Sequence, residues 1–452
     1  MERLLLVLIT ILFTSCSFDN KTGIWKDATN TSVENQSSKS ILKKNQSSRY
    51  EDFITKNKTF NEVKKSKISF NSGVNDPIKI KNWLEQYAIP TNNISNFSYS
   101  GNKILLLKSR KLSKLSSSRK IIFYKKNLIS YDHKGTIFVY SLNLNKKISE
   151  YNFYKKKFKS FNKEIDLIIN NNILYAADNL GYLYALNLNS NSIIWAKNYG
   201  IPFRSNMKFA NNQIFLANQD NVIYSIDANS GNKNWQYSTN LTFLKTDFLN
   251  NLALDLVNNN LFFFNTSGEL YSINYLNQKI NWMLNFKNPS LTGETELFLS
   301  QPIIIKNNNL IITTEKALLS YEKYNGARNW ALSAESIFKP IITSKYTYAI
   351  LKNDLLICLD NISGNVVWSK NIFVDIKKKK FKNKFGKIAD FKIVNSEINI
   401  YSINGYLLTF NFNNGNLISK QKISKSGIGS EVIFLDDNMM FIDRRNKLLK
   451  FN

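Results

Sequence analysis

The chain has 452 residues, 43% of them hydrophobic and 13% aromatic, which is ample material for a packed core and excludes a wholly disordered protein. Its formal charge of +28 invites a nucleic-acid reading, but Lys and Asn are spread along the whole chain, which reads as a bias toward Lys, Asn and Ile codons with some preference for anionic surfaces or acidic partners. One histidine and two cysteines, Cys16 and Cys358, in unlike contexts exclude a zinc site and a disulfide framework.

Residues 4–13 form an apolar run preceded by Arg3 and followed by Thr14-Ser15-Cys16. The run is too short to span a bilayer and has the length of a signal-peptide core. Small residues directly before a cysteine resemble a bacterial lipobox, although Phe13 stands where Leu is usual. The resemblance implies that residues 1–15 are removed and that Cys16 is acylated. Ser17, in place of Asp, implies the outer membrane. Residues 16–75 are rich in Asn, Ser, Thr and Lys and read as a flexible tether. A coil of about 60 residues reaches roughly 40–45 Å.

Residues 76–452 repeat. The clearest copies are Asp227-Ala228-Asn229-Ser230-Gly231, followed by Trp235, and Asp360-Asn361-Ile362-Ser363-Gly364, followed by Trp368. Trp195, Trp282 and Trp330 occupy the same position, so five of seven tryptophans serve as core at one place in the repeat; Tyr151 and Ser419 fill it in two weaker copies. A spacing of 38–51 residues, with several short strands per unit, signals propeller blades. Asp caps the turn, Gly supplies positive φ, and the next strand buries its Trp.

Blades are expected near residues 121–154, 165–199, 207–238, 252–286, 302–333, 340–372 and 387–422. An eighth begins at Glu431 and lacks its last strand, which Ile104-Leu105-Leu106-Leu107 supplies to close the ring. The expected fold is therefore an all-β, eight-bladed propeller of four-stranded antiparallel blades, with seven blades the alternative.

The Asp-x-x-x-Gly-x-x-x-Trp signature resembles the quinoprotein-type propeller family with PQQ-like repeats. Within it, the order of features resembles the BamB family of outer-membrane assembly lipoproteins. Trp83, the stretch from Lys108 to Lys120 and the basic run from Lys377 to Lys380 fit that order. The resemblance implies a non-catalytic scaffold at the periplasmic face of the outer membrane, a monomer within a hetero-oligomeric complex. It would bind the BamA-type barrel insertase and unfolded outer-membrane protein clients. Carried over by position, Leu241, Phe243, Leu244 and Lys245 take the apolar-plus-basic contact, and Glu294 and Glu296 the acidic one. Ordinary solvated loops remain the alternative for both segments. The alternative for the whole protein is a propeller that binds a polysaccharide or peptide, and after it a degenerate quinoprotein dehydrogenase.

No catalytic case stands in the residues. There are no adjacent cysteines, no acidic cluster for a hard cation and no Gly-rich phosphate loop, so no cofactor or metal is expected. His133, in Tyr131-Asp132-His133-Lys134-Gly135, reads as a turn residue and not as a base. The run from Lys377 to Lys387, with Phe381 and Phe385 interleaved, has the composition of a single-strand grip. An exported protein rarely meets nucleic acid, so a solvated or lipid-facing loop is preferred.

Overall fold

The computed structural model describes residues 16–18, 25–27, 49–50, 59–66, 75–154, 158, 160–241, 249–286, 298–376 and 380–452. Contacts divide the chain into residues 1–47 and 48–452. In the first unit, Cys16–Phe18 pairs antiparallel with Trp25–Asp27. The second unit is the propeller.

Eight antiparallel four-stranded blades occupy residues 122–152, 165–198, 208–238, 251–285, 304–332, 341–371, 388–422 and 433–451, the last completed by Leu105–Lys111. That strand pairs antiparallel with Lys447–Phe451, and Ile104 and Asn452 exchange backbone hydrogen bonds of 2.7 and 2.9 Å. Ring closure by an N-terminal strand is thus observed, with the strand running four residues further than its apolar core.

Each blade is a meander, so the side chains of both faces are buried only between neighbours. The repeat's Trp and Gly meet across that boundary. Trp195 lies over Gly231 of the next blade, Trp282 over Gly326, Trp330 over Gly364 and Trp368 over Gly415. The indole N–H donates into the same turn: Trp195 to the Ala228 carbonyl (3.0 Å), Trp282 to Lys323 (3.1 Å) and Trp330 to Asn361 (2.9 Å). Glycine is required twice over at these turns. Its φ is near +70°, and a Cβ at Gly364 would stand 2.4 Å from Trp330 Cγ. The indole N–H of Trp368, over Gly415, is unpartnered, as is that of Trp235, whose facing turn carries Gln278 (φ 61°) in the glycine's place.

The first blade departs from the expected alignment. Ser149, not Tyr151, pairs with Val139 at the bulge where the other blades set their Trp, and Asn145, not Lys147, takes positive φ. Ser149 then hydrogen-bonds Asn191 at the equivalent turn of blade 2 (2.8 Å), a polar substitute for the Trp–Gly contact.

One face of the ring is sealed by residues 78–99, which visit every blade. Trp83 exchanges backbone bonds with Phe123, and Ile169 donates to the Leu84 carbonyl. Lys208 is paired with Glu85 (3.1 Å). Leu254 and Ile305 donate to the Pro90 and Thr91 carbonyls. The Asn92 amide reaches the Leu252 and Ile303 carbonyls (2.8 and 2.9 Å), and Asn93 brackets Ile342. Phe97 pairs with Val394, and Asp436 donates to the Ile80 carbonyl. The outer rim also carries chain from the stretch expected to be a tether. Arg49–Tyr50 pairs parallel with Lys279–Asn285, and Lys64 bridges Ser369.

Replacing Gly364 with Ala is expected to cost about 2–4 kcal/mol, the sum of left-handed strain and overpacking against Trp330. Gly200 has the same sign of φ (+81°) but nothing within 4 Å, so Gly200→Ala is expected to cost only about 1 kcal/mol. Urea unfolding of both variants measures the difference; equal losses would refute the inter-blade role of the turn.

Candidate functional site

In a four-stranded meander the turns between strands one and two and between three and four lie at one face, here the sealed one. The turns between strands two and three and the blade-to-blade connections lie at the other. Long connections, among them residues 239–250, 286–303 and 372–387, therefore start and end at the open face.

The first two of these share one mount. The blade 4 turn Asn265-Thr266-Ser267-Gly268 is buried. Asn265 donates to Thr239 Oγ1 (2.8 Å) and to Glu269 (2.9 Å). Ser267 donates to the Asn240 carbonyl (2.7 Å), and Asn221 donates both to that carbonyl and to Ser267 Oγ (2.9 Å each). The Thr266 N–H donates to Asn250 Oδ1 (3.1 Å), where the first connection ends. Its carbonyl accepts from the Phe298 N–H (2.9 Å), where the second ends. The Phe298 ring lies against Phe264 and Phe286. A satisfied buried network of this kind rigidifies what it holds. It also fixes the Tyr271 hydroxyl, which donates to Glu269 (2.9 Å) and whose pKa burial pushes far up.

Leu241 sits at the start of the first connection and is 62% exposed. Phe243, Leu244, Lys245, Glu294 and Glu296 lie outside the described residues. The mount itself was not singled out from sequence. Its only signal is the density of Asn, Ser and Thr at 218–221 and 265–267, which also fits any turn.

Around the axis, charged groups meet within a blade, between blades and across to the sealing segment. Lys120 pairs with Asp166 (2.9 Å), which also accepts from the Met207 N–H (2.6 Å). Lys392 pairs with Asp390 (2.8 Å), which accepts from the Val432 N–H (2.7 Å). Lys208, 1% exposed, also donates to Asn92 Oδ1 (2.5 Å), which holds its ammonium although burial lowers its pKa. Two partly exposed groups are less well matched. Burial pulls the Lys339 amine down to about 7, with Lys392 adding to the shift. Burial pushes the Glu431 carboxyl up to about 8 against the pull of Lys392.

His133 occupies the expected turn and its N–H donates to the Ser116 carbonyl (3.2 Å). Cys358 is buried in blade 6 beside Trp368, and burial raises its thiol pKa. Among the described residues no three His, Cys, Asp or Glu side chains are grouped to hold a metal. The described residues therefore offer no cation ligands of the kind a quinone cofactor would need, and Cys16 and Cys358 are not adjacent in the sequence as its paired cysteines would be.

Eight radial blades with an inter-blade Trp–Gly turn define the chain as a β-propeller with PQQ-like repeats. A family model described as outer membrane protein assembly factor BamB matches residues 134–370, more than half of the sequence, and the chain belongs to that family. Curated relatives bear the same description. The one from Yersinia pestis is 20% identical over 62% of this chain and 81% of its own length. That from Moranella endobia is 21% identical over 47% and 58%. That from Legionella pneumophila is 31% identical, over 16% of this chain and about a fifth (19%) of its own length. Among solved structures, BamB from Moraxella catarrhalis aligns with a TM-score of 0.60 at 13% identity, over 77% of this chain and all (100%) of that one. A quinohemoprotein alcohol dehydrogenase from Pseudomonas putida also reaches 0.60, at 9% identity over 82% and 80%. The two likenesses show the shared fold.

The axial groups set a pH dependence. Glu431 holds its proton in the fold up to about 8 and in the unfolded chain only to about 4.5, so its contribution to stability falls as pH rises between those values. Lys339 loses its proton in the fold near 7 and in the unfolded chain near 10.5, so its contribution rises with pH across that window. Glu431→Gln is expected to flatten the fall and Lys339→Met the rise, as read from urea midpoints at pH 5, 7 and 9. Unchanged pH profiles would refute the axial burial of these groups.

Proposed function

We propose that the protein is a non-catalytic scaffold lipoprotein of the outer-membrane β-barrel assembly machinery. Anchored through Cys16 at the periplasmic face, it binds the BamA-type insertase and presents a rigid disc beside outer-membrane protein clients. Family membership supports an assembly role. The observation that carries the partner-binding reading is the common mount. The connections that bear Leu241, Phe243, Leu244 and Lys245, and Glu294 and Glu296, both leave from the buried turn of blade 4. One rigid turn that holds the described ends of both connections reduces the ordering cost of a bipartite contact. Apolar residues followed by a lysine, with acidic residues in the adjoining connection, offer a protein partner both apolar contact and complementary charge.

The non-catalytic reading is supported by His133 resting in a backbone-bonded turn and Cys358 lying inert in a core. The axial carboxylates of Asp166 and Asp390 are already engaged by lysines and backbone N–H groups.

Affinity purification of the full chain from gently solubilised membranes tests the reading. The insertase is expected to co-purify, and Phe243→Asp with Leu244→Asp is expected to reduce its recovery at least tenfold with unchanged thermal unfolding. Loss of the mount by Asn265→Ala is expected to weaken recovery as well. Reproducible absence of the insertase from a folded, membrane-bound preparation would refute the reading and favour a propeller that binds a polysaccharide or peptide.

A further inference from the structure

The third long connection has a different character. The short helix Phe381–Phe385 buries Phe381 and Phe385 and leaves Lys382 and Lys384 outside. Phe385 packs against Phe373 (5.5 Å) and Phe381 against Tyr406 (5.2 Å), so the helix is nailed to blade 7 by its aromatic side. On the neighbouring outer strand Leu417–Lys422, Lys420 lies over the Phe381 ring (4.7 Å) and Lys422 over Tyr406 (4.9 Å). Lys380, Lys382, Lys384, Lys387, Lys420 and Lys422 are all exposed. Among the described residues, only Lys382 of these pairs with a carboxylate, that of Asp354. The nearby Asp375 is taken by Lys370 (2.7 Å). Val374, in the same connection, stands 64% exposed.

We infer that this patch is a docking surface for an anionic phospholipid bilayer. Exposed ammonium groups that a short helix and the neighbouring outer strand bring together, most of them without a carboxylate partner among the described residues, suit phosphates that are free to move laterally. An exposed aliphatic side chain beside them suits the acyl boundary. A single nucleic-acid strand would need aromatic faces to stack its bases, but Phe381 is 5% exposed and Phe385 is fully buried (0%). The surface lies two blade-to-blade connections along the ring from residues 286–303, so it is separate from the loops proposed to bind the insertase and does not depend on that reading.

The test uses the full chain carrying Cys16→Ala, which removes acylation, with vesicles of phosphatidylcholine alone and vesicles containing one part in three of phosphatidylglycerol. Each lysine near an anionic surface contributes about fivefold in binding. The triple variant K380E/K382E/K384E is therefore expected to bind phosphatidylglycerol vesicles at least about a hundredfold more weakly, since reversal adds repulsion to the lost attraction, with phosphatidylcholine binding unchanged. The same charge change at Lys81, Lys125 and Lys126, exposed on the sealed face, is the control and is expected to have a much smaller effect. A nitrobenzoxadiazole probe at Val374→Cys is expected to brighten and shift to the blue on phosphatidylglycerol vesicles; Cys358 is buried and escapes labelling. Equal weakening by both triple variants would reduce the effect to net charge and overturn the inference. So would vesicle-insensitive fluorescence, or a variant-sensitive affinity for single-stranded oligonucleotide in place of vesicles.

Discussion

A ring of sheets has no free faces only if its last sheet meets its first, and here one backbone ladder makes that meeting. Leu105–Lys111 supplies the outermost strand of a blade whose other three strands are the last in the chain. Without it, Lys447–Phe451 would present an unpaired edge above a core that includes Met439, Phe441 and Leu449. The strand itself contributes little burial, since Leu105 and Leu106 are exposed, so its role is hydrogen bonding more than packing. Closure also brings together residues more than 300 apart in sequence. Non-local pairing of this kind tends to make folding slow and late-closing, while the Trp–Gly contacts between neighbouring blades form locally.

The same N-terminal stretch imposes a second constraint. Residues 78–99 reach the closing strand only after passing over the inner strands of all eight blades, so the chain seals one face before it closes the ring. Lys208 and Glu85 illustrate the consequence. A buried ion pair is a weak source of stability, but each partner left alone would be severely penalised. The pair forms only when the seal is seated on blade 3, and so it favours one placement of the segment over the others. Asn92 and Asn93 act in the same way, with side chains that satisfy strand-end carbonyls of blades 4, 5 and 6 which no sheet neighbour reaches.

What could be read from sequence follows from what repeats. The Trp spacing and the turn glycines recur because every blade boundary poses the same packing problem, and from them the blade count and the closing strand were legible. Tyr151 was misplaced because the first blade solves that problem with Ser149 and Asn191, and a hydrogen-bonded pair of small polar residues leaves no periodic mark. The seal was legible only as a tryptophan and a run of asparagines, since each of its contacts is made once. The mount at Asn265 to Gly268 was hidden for the opposite reason. Its residues are those of any turn, and only the arrival of two connections gives them a further role.

The two faces are consequently unequal in what they are free to do. On the sealed face the strand-end groups are consumed by the chain itself. On the open face the connections between blades vary in length while the turns beneath them are held by buried networks, so sequence change there does not threaten the ring. This explains how one fold accommodates both this family and dehydrogenases: the boundary contacts make the disc, and the connections and the axis decide its chemistry. In this chain the axial charges largely neutralise one another. The excess positive charge remains on the exterior, where solvent and anionic surfaces meet it.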